Sequence, residues 1–248
     1  MINKNYLTKY KKNGWVKIKN FFSSAEIDKI NNHINLFLAK NLSKYKNRDI
    51  NFSQEASVAQ INSFHRLSDS DWIKNLGKQQ KIKKLSNLFL ETKKSKLRAC
   101  ELFAKPAKIG LASPIHQDNF YWCVKDNSGL TIWVALENSN KKNGAIFYYD
   151  GSHKLGLVDH QPSYMKGSSQ KIKNIKILKK FKVSTPILKK GDCLIHHCLV
   201  IHGSNQNKSN NSRRGFTFQY IDFESRYDLK RKKEYERSLK LQIKKRAS

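Results

Sequence analysis

A chain of 248 residues is long enough for one well-buried core, and 38% hydrophobic residues with 13 Phe, 10 Tyr and 4 Trp exclude disorder despite the abundance of lysine and asparagine. Lysine and arginine number 49 against 19 acidic residues, a formal charge of +30 that favours anionic partners such as nucleic acid, lipid headgroups or acidic metabolites. The lysines run along almost the whole chain instead of gathering on one face, so most of the charge is read as lysine at ordinary solvated positions, and nucleic-acid binding is not favoured.

Cys100, Cys123, Cys193 and Cys198 form no close metal-type pair and no disulfide-dense pattern. The stretch Met1 to Lys12 is polar and basic, without the apolar core of a signal peptide. No apolar run approaches the roughly 20 residues of a membrane span. A cytoplasmic protein without a membrane span is expected.

In chain order, Trp15-Val16-Lys17-Ile18 reads as a short strand after the Asn13-Gly14 turn. Ser23 to Glu26 has the form of a capping box, and Ile27, Ile30, Ile34 and Phe37 follow at helical spacing, which predicts a helix over about 24 to 40. Residues 41 to 66 are mixed and polar and carry no assignment beyond a loop near the site. A second helix is predicted over about 78 to 90, with Ile82, Leu85 and Phe89 inward. From Lys96 the period changes to that of strands: Leu97 to Ala104, Leu130 to Leu136, Ala145 to Tyr149, Val183 to Leu188, Cys193 to Ile201 and Gly215 to Ile221. Such strands behind two helices predict a mainly β domain, a jelly roll with a helical N-terminal layer. One domain is expected: a helical part over 1 to 95, a jelly-roll core over 96 to 225 and a basic helix or tail over 226 to 248. The lysine-rich segment 155 to 182 lacks apolar periodicity and is expected to act as a lid. In the C-terminal helix Tyr235, Leu239 and Ile243 recur every four residues, a narrow stripe expected to dock it on the body.

The chemistry gathers at His116-Gln117-Asp118-Asn119-Phe120-Tyr121-Trp122. On an extended strand His116 and Asp118 point the same way, and Phe120 and Trp122 share their parity, which predicts two ligands beside an aromatic substrate wall. A second imidazole completes a set of two histidines and one carboxylate, the arrangement that leaves positions open on non-haem Fe(II). His202 is the candidate third ligand, with His196 and His197 as competitors and His65 and His153 as residues of loops or the pocket rim. After His202-Gly203-Ser204 a hairpin-length run of turn formers returns the chain at Arg213. A hairpin there predicts Arg213 across the ladder from His202, placed to take the distal carboxylate of 2-oxoglutarate through two parallel hydrogen bonds. Ser204 adds a further donor.

These residues resemble the phytanoyl-CoA dioxygenase family of iron(II)- and 2-oxoglutarate-dependent oxygenases. His116-Gln117-Asp118 is similar to its first metal motif and Trp133 to Glu137 to the strand that follows. Asn143-Gly144 through Asp150-Gly151-Ser152-His153-Lys154 resembles its "NG…GSHK" segment, and Gly191-Asp192 with His202-Gly203-Ser204 and Arg213 its distal motif. Lys105-Pro106 resembles "KPP", with Ala107 in place of the second proline. The resemblance covers about residues 10 to 225. It implies a double-stranded β-helix (cupin-like jelly roll), His116, Asp118 and His202 as iron ligands, and Arg213, Ser204, Trp133 and Gln117 as co-substrate contacts. Since related halogenases lack the carboxylate ligand and Asp118 is present, it implies hydroxylation of a small organic substrate by O2, with release of succinate and CO2; the lysine-rich lid segment favours an anionic one. The competing expectations are a jelly-roll binding module without oxidation, for an anionic ligand, and a nucleic-acid-modifying oxygenase suggested by the charge alone.

Overall fold

The computed structural model describes residues 4–46 and 48–247. Residues 1–3 of the basic N-terminal stretch, Asn47 in the unassigned 41 to 66 stretch, and Ser248 lie outside it. In chain order the elements are α1 (Lys4–Asn13), β1 (Trp15–Ile18), α2 (Ser24–Asn41), β2 (Ile50–Phe52), β3 (Ile61–Phe64), α3 (Asp71–Gly77), α4 (Gln80–Leu90), β4 (Ser95–Lys105), β5 (Ser113–His116), α5 (Asp118–Trp122), β6 (Gly129–Ala135), β7 (Ile146–Tyr149), β8 (His160–Met165), β9 (Ser168–Ile172), β10 (Val183–Ser184), β11 (Cys193–His197), β12 (His202–Ser204), β13 (Arg213–Asp222) and α6 (Leu229–Ala247). The strands form a seven-stranded sheet in the order β1-β11-β6-β13-β4-β3-β2, a four-stranded sheet β10-β7-β12-β5 and a hairpin β8-β9.

Alternation along the central strands assigns the two faces of the large sheet. Leu130, Ile132 and Val134 of β6 and Phe216, Phe218 and Tyr220 of β13 turn to the helices, where they join Ile27, Ile30, Ile34 and Leu38 of α2 and Ile82, Leu85 and Phe89 of α4 in one core. Each of those α2 side chains is almost fully buried, worth about 2 kcal/mol apiece over exposure. The intervening residues, Thr131 and Trp133 on β6 and Thr217 and Gln219 on β13, turn the other way and line a cavity between the two sheets. Both faces of β6 are thus covered, and every one of its residues is buried.

The α2 start follows the capping box: Ser23 Oγ accepts from the Glu26 amide at 3.2 Å and the Ser23 amide donates to Glu26 Oε2 at 2.7 Å. Several sequence expectations are corrected. The strand expected over Cys193 to Ile201 stops at His197, and the chain crosses to the small sheet as β12. Only Val183–Ser184 of the expected strand to Leu188 is strand. The basic N-terminal stretch forms α1, and the expected helix over 78 to 90 is preceded by a separate α3. Part of the unassigned 41 to 66 stretch extends the large sheet as β2 and β3, and the 155 to 182 segment contains the β8-β9 hairpin. Among the described residues no helix is long and apolar enough to cross a membrane.

Candidate active site

The route from His116 to Asp118 differs from the extended run expected. β5 ends at His116, Gln117 is still extended with φ −120° and ψ 134°, and Asp118 opens the short helix α5, which closes at Cys123 with φ 56°. The bend is held by side chains that satisfy backbone groups. Asn119 brackets Val124, accepting from its amide and donating to its carbonyl, both at 2.9 Å. Because residues 118 to 122 coil, the parity that put Phe120 and Trp122 on one wall fails. Trp122 lines the cavity; Phe120 stacks on His160 with centroids 4.2 Å apart and is not among the lining residues.

His202 pairs with His116 across the β12/β5 ladder, and the ligand atoms of His116, Asp118 and His202 all lie within 4.8 Å of one another. Each imidazole places Nδ1 against a carbonyl: His116 against Pro114 at 2.7 Å, His202 against Val200 at 3.0 Å. A carbonyl can only accept, so Nδ1 carries the proton and the Nε2 lone pair is free. Both Nε2 atoms stand 3.7 Å from Asp118 Oδ1. Three acceptors aimed at one point repel unless a cation sits among them, so the donor set fits a metal ion, and two nitrogens with one carboxylate suit a non-haem divalent iron.

The other carboxylate oxygen is occupied. Asp118 Oδ2 accepts from Thr131 Oγ1 at 2.7 Å and from His196 Nε2 at 3.1 Å. His196, a competitor for the ligand role in the sequence, therefore stands behind the carboxylate, with its Nδ1 2.9 Å from the Tyr148 hydroxyl. Burial pushes the Asp118 carboxyl up, but the surrounding imidazoles, with His196 bonded to Oδ2, prevail and hold it well below the usual range. Burial, then the neighbouring His116, pulls His202 down to about 3, so it stays neutral at physiological pH. His197 faces the other way, against Tyr10 and His153.

Arg213 is not across a hairpin from His202, as the sequence suggested. It pairs with Lys105 in the β13/β4 ladder of the large sheet, while His202 belongs to the small sheet, and the two side chains meet by lining the same cavity. Burial lowers the guanidinium to about 10. Its Nη2 donates to the Gly144 carbonyl at 3.0 Å, its Nε is buried without a hydrogen-bond partner among the described residues, and its Cζ lies 5.3 Å over the Trp133 ring. Lys105 beside it is buried, and desolvation, then repulsion by Arg213, pulls its ammonium well below the ordinary value. Lys105 gives its Nζ to the Leu111 carbonyl and is not among the cavity-lining residues, so Arg213 is the member of this pair that presents a charge to an anion in the cavity. Ser204 and Trp133 also line the cavity.

Gln117 points elsewhere. Its amide nitrogen donates to Gly156 and Leu199 carbonyls at 2.8 and 2.7 Å, and its oxygen accepts from the Val158 amide at 2.9 Å. Fully buried, it ties the 156 to 158 segment and the 199 turn to the end of β5, and it is not among the cavity-lining residues.

The cavity has a volume of about 430 Å³. Its outer wall comes from His65, expected in a loop or at the rim, and Arg66 after β3, from Ser168 and Ser169 of β9 in the segment expected as a lid, and from Tyr235, Leu239 and Ile243 of α6, expected only to dock. The α6 stripe thus faces the cavity. It is fixed there by Arg246, which donates to the Met165 carbonyl at 2.8 Å, and by Gln242, which accepts from the Tyr164 amide at 3.1 Å.

Comparison with known proteins agrees with this architecture. The model of the family "Phytanoyl-CoA dioxygenase" matches residues 10–215. The chain is 26% identical over 230 residues to the peroxisomal phytanoyl-CoA dioxygenase of Bos taurus, covering 88% of this chain and 68% of that protein. It is 31% identical over 134 residues to phytanoyl-CoA dioxygenase domain-containing protein 1 of Danio rerio, covering 52% and 45%. Among solved structures, EctD from S. alaskensis with 2-oxoglutarate and 5-hydroxyectoine superposes with a TM-score of 0.76 at 18% identity, covering 92% of this chain and 78% of that one. The same enzyme with bound Fe gives 0.74 at 19%, over 92% and 79%. The jelly-roll fold is shared with these enzymes, and the family match takes in all three converging side chains: the chain belongs to the phytanoyl-CoA dioxygenase family, whose members are non-haem iron, 2-oxoglutarate-dependent enzymes.

Proposed function

We propose that the protein hydroxylates a C–H bond of a small organic substrate, consuming O2 and 2-oxoglutarate and releasing succinate and CO2, with His116 Nε2, His202 Nε2 and Asp118 Oδ1 as the iron ligands. The observation that carries this reading is the triangle of bare acceptors, each oriented by a hydrogen bond on its far side. Iron(II) with 2-oxoglutarate and oxygen supplies the oxidising power when bound.

The chain's own residues do the rest. Thr131 and His196 fix the Asp118 carboxylate so that Oδ1 faces the two imidazoles. Arg213, aided by Ser204, takes the distal carboxylate of 2-oxoglutarate against the Trp133 indole. Trp122 and the α6 stripe close the substrate side and exclude water.

Asp118→Ala tests the ligand assignment: oxygen-dependent succinate formation and tight Fe(II) binding are both expected to vanish while the circular dichroism spectrum stays that of the wild type. Full turnover by this variant rejects the assignment. Arg213→Ala is expected to raise the 2-oxoglutarate requirement about ten- to a hundredfold, the worth of a charged hydrogen bond; an unchanged requirement moves that role to another cation.

A further inference from the structure

The cavity holds a second guanidinium that the co-substrate does not need. Arg98 sits at the irregularity in the β4/β13 ladder, where Gln219 pairs with Ala99 and Tyr220 with Leu97. Its Cζ lies 4.9 Å over the Trp122 ring, its Nη1 donates to Gln219 Oε1 at 2.5 Å, and its Nε is buried without a partner among the described residues. The acceptor it has is a neutral amide. The nearby carboxylate of Glu101 is committed elsewhere, to Gln219 Nε2 at 2.8 Å and to His65 at 3.4 Å. The other cavity arginines are engaged: Arg66 with Asp69 at 3.1 Å, Arg48 near Asp49 at 3.6 Å, and Arg246 with the Met165 carbonyl.

Arg98 also stands at the right depth. Gln219 is the ladder partner of Thr131, and Thr131 donates to Asp118. From β4 through β13 to β6 is two strand spacings, about 10 Å, so an anionic group held at Arg98 leaves a few carbon atoms of reach to the metal-ligand triangle. Trp122, Leu239 and Ile243 give the same cavity apolar surface, beside Glu236 and Arg246 of α6.

We infer that the substrate is a compact carboxylic acid whose carboxylate is taken by Arg98 on the face of Trp122, with the apolar body lying against α6. The planar edge of a guanidinium matches a carboxylate through two parallel bonds, and stacking on an indole leaves that edge free. The two arginines with bare Nε atoms then divide the work, Arg213 serving the co-substrate and Arg98 the substrate. This inference rests on the oxygenase reading of the site. The α6 part of the wall lies beyond the residues 10–215 that match the family model.

The test uses the full chain without oxygen, loaded with Fe(II) and saturating 2-oxoglutarate, so that Arg213 is occupied. Butanoate, hexanoate and octanoate, their primary amides, the matching alkyl phosphates and hexanoyl-coenzyme A are titrated against indole fluorescence and melting temperature. The acids are expected to give saturable quenching and a raised Tm, the amides neither. Arg98→Gln is expected to weaken hexanoate binding at least tenfold, and Arg98→Lys to recover only part of it. The comparison of acid with amide on the wild type needs no variant and stands even if a variant folds poorly. Amides that bind as well as acids, phosphates or the thioester that bind better than the acids, no saturable signal from any compound, or an Arg98→Gln protein that binds hexanoate normally each overturn the inference. The charge-transfer absorption of the Fe(II)·2-oxoglutarate complex separates the two levels: its absence overturns the oxygenase reading, whereas its presence without carboxylate binding overturns this inference alone.

Discussion

Thr131 Oγ1 donates to Asp118 Oδ2 at 2.7 Å, so one oxygen of the carboxylate is held by β6 and the other is turned toward His116 and His202. His196 supports the same oxygen from β11. Removing the hydroxyl while keeping the shape isolates this contact. Thr131→Val is expected to leave the fold intact and to weaken metal binding ten- to a hundredfold, the usual effect of losing a group that orients a ligand. Titration of the apoprotein with Fe(II) or Co(II), followed by absorption or calorimetry, measures it; an unchanged affinity means His196 alone orients Asp118.

The central strands and the start of α2 were legible because their signals are local. The apolar run Leu130 to Leu136 marks a strand covered on both faces, and the Ser23 and Glu26 pair marks the start of α2. The residue types of the triangle were also visible as His116, Asp118 and His202. The path between them was not, because strand parity holds only while the backbone stays extended, and Asp118 begins a helical turn whose stop is Cys123 in the left-handed region. The same limit explains Phe120, which leaves the cavity, and Arg213, whose ladder partner Lys105 is distant in sequence. Tyr235, Leu239 and Ile243 carried the right period for a docked helix, but periodicity does not say whether the surface opposite is core or cavity.

Gly215 lies directly beneath the Trp133 indole: a Cβ built on it would fall 2.0 Å from the ring. The neighbour is a large, fully buried side chain that cannot give way freely, and that indole in turn carries the Arg213 guanidinium. Gly215→Ala is expected to cost about 1–3 kcal/mol of stability through overpacking and, by tilting Trp133, to raise the 2-oxoglutarate requirement. Urea unfolding and a co-substrate titration on the same preparation check both halves. A stability loss without any change in requirement shows that Trp133 does not shape the co-substrate seat.

Gln117 was expected at the co-substrate, and its bonds instead join three chain segments. Gln117→Leu keeps the volume but leaves the Gly156 and Leu199 carbonyls and the Val158 amide without partners in a dry site. A loss of about 3 kcal/mol is expected, since each buried polar group left unpaired costs roughly 1–3 kcal/mol. Equilibrium denaturation reads it directly. A loss below about 1 kcal/mol shows that water reaches these groups and that the side chain is not the tie.

Two histidines outside the triangle set the acid limit. His160 Nε2 accepts from the Gln117 amide at 3.1 Å and His197 Nδ1 accepts from the Leu199 amide at 3.1 Å. A protonated imidazole has no acceptor left, so both bonds require the neutral ring. Burial lowers each to about 4 from the ordinary 6.5, with neighbouring histidines adding to the effect on His197. The unfolded chain therefore takes up these protons as pH falls below about 6.5 while the folded chain refuses them until about 4. Stability is full above about 6.5 and decreases as pH falls through that window, by up to about 1.4 kcal/mol per pH unit for each group. Unfolding free energies measured from pH 7.5 to 4 are expected to show this slope, and His160→Gln to flatten it by one proton's worth, since a glutamine does not titrate. If the variant keeps the wild-type slope, His160 is already protonated in the folded protein and the Gln117 amide has another acceptor.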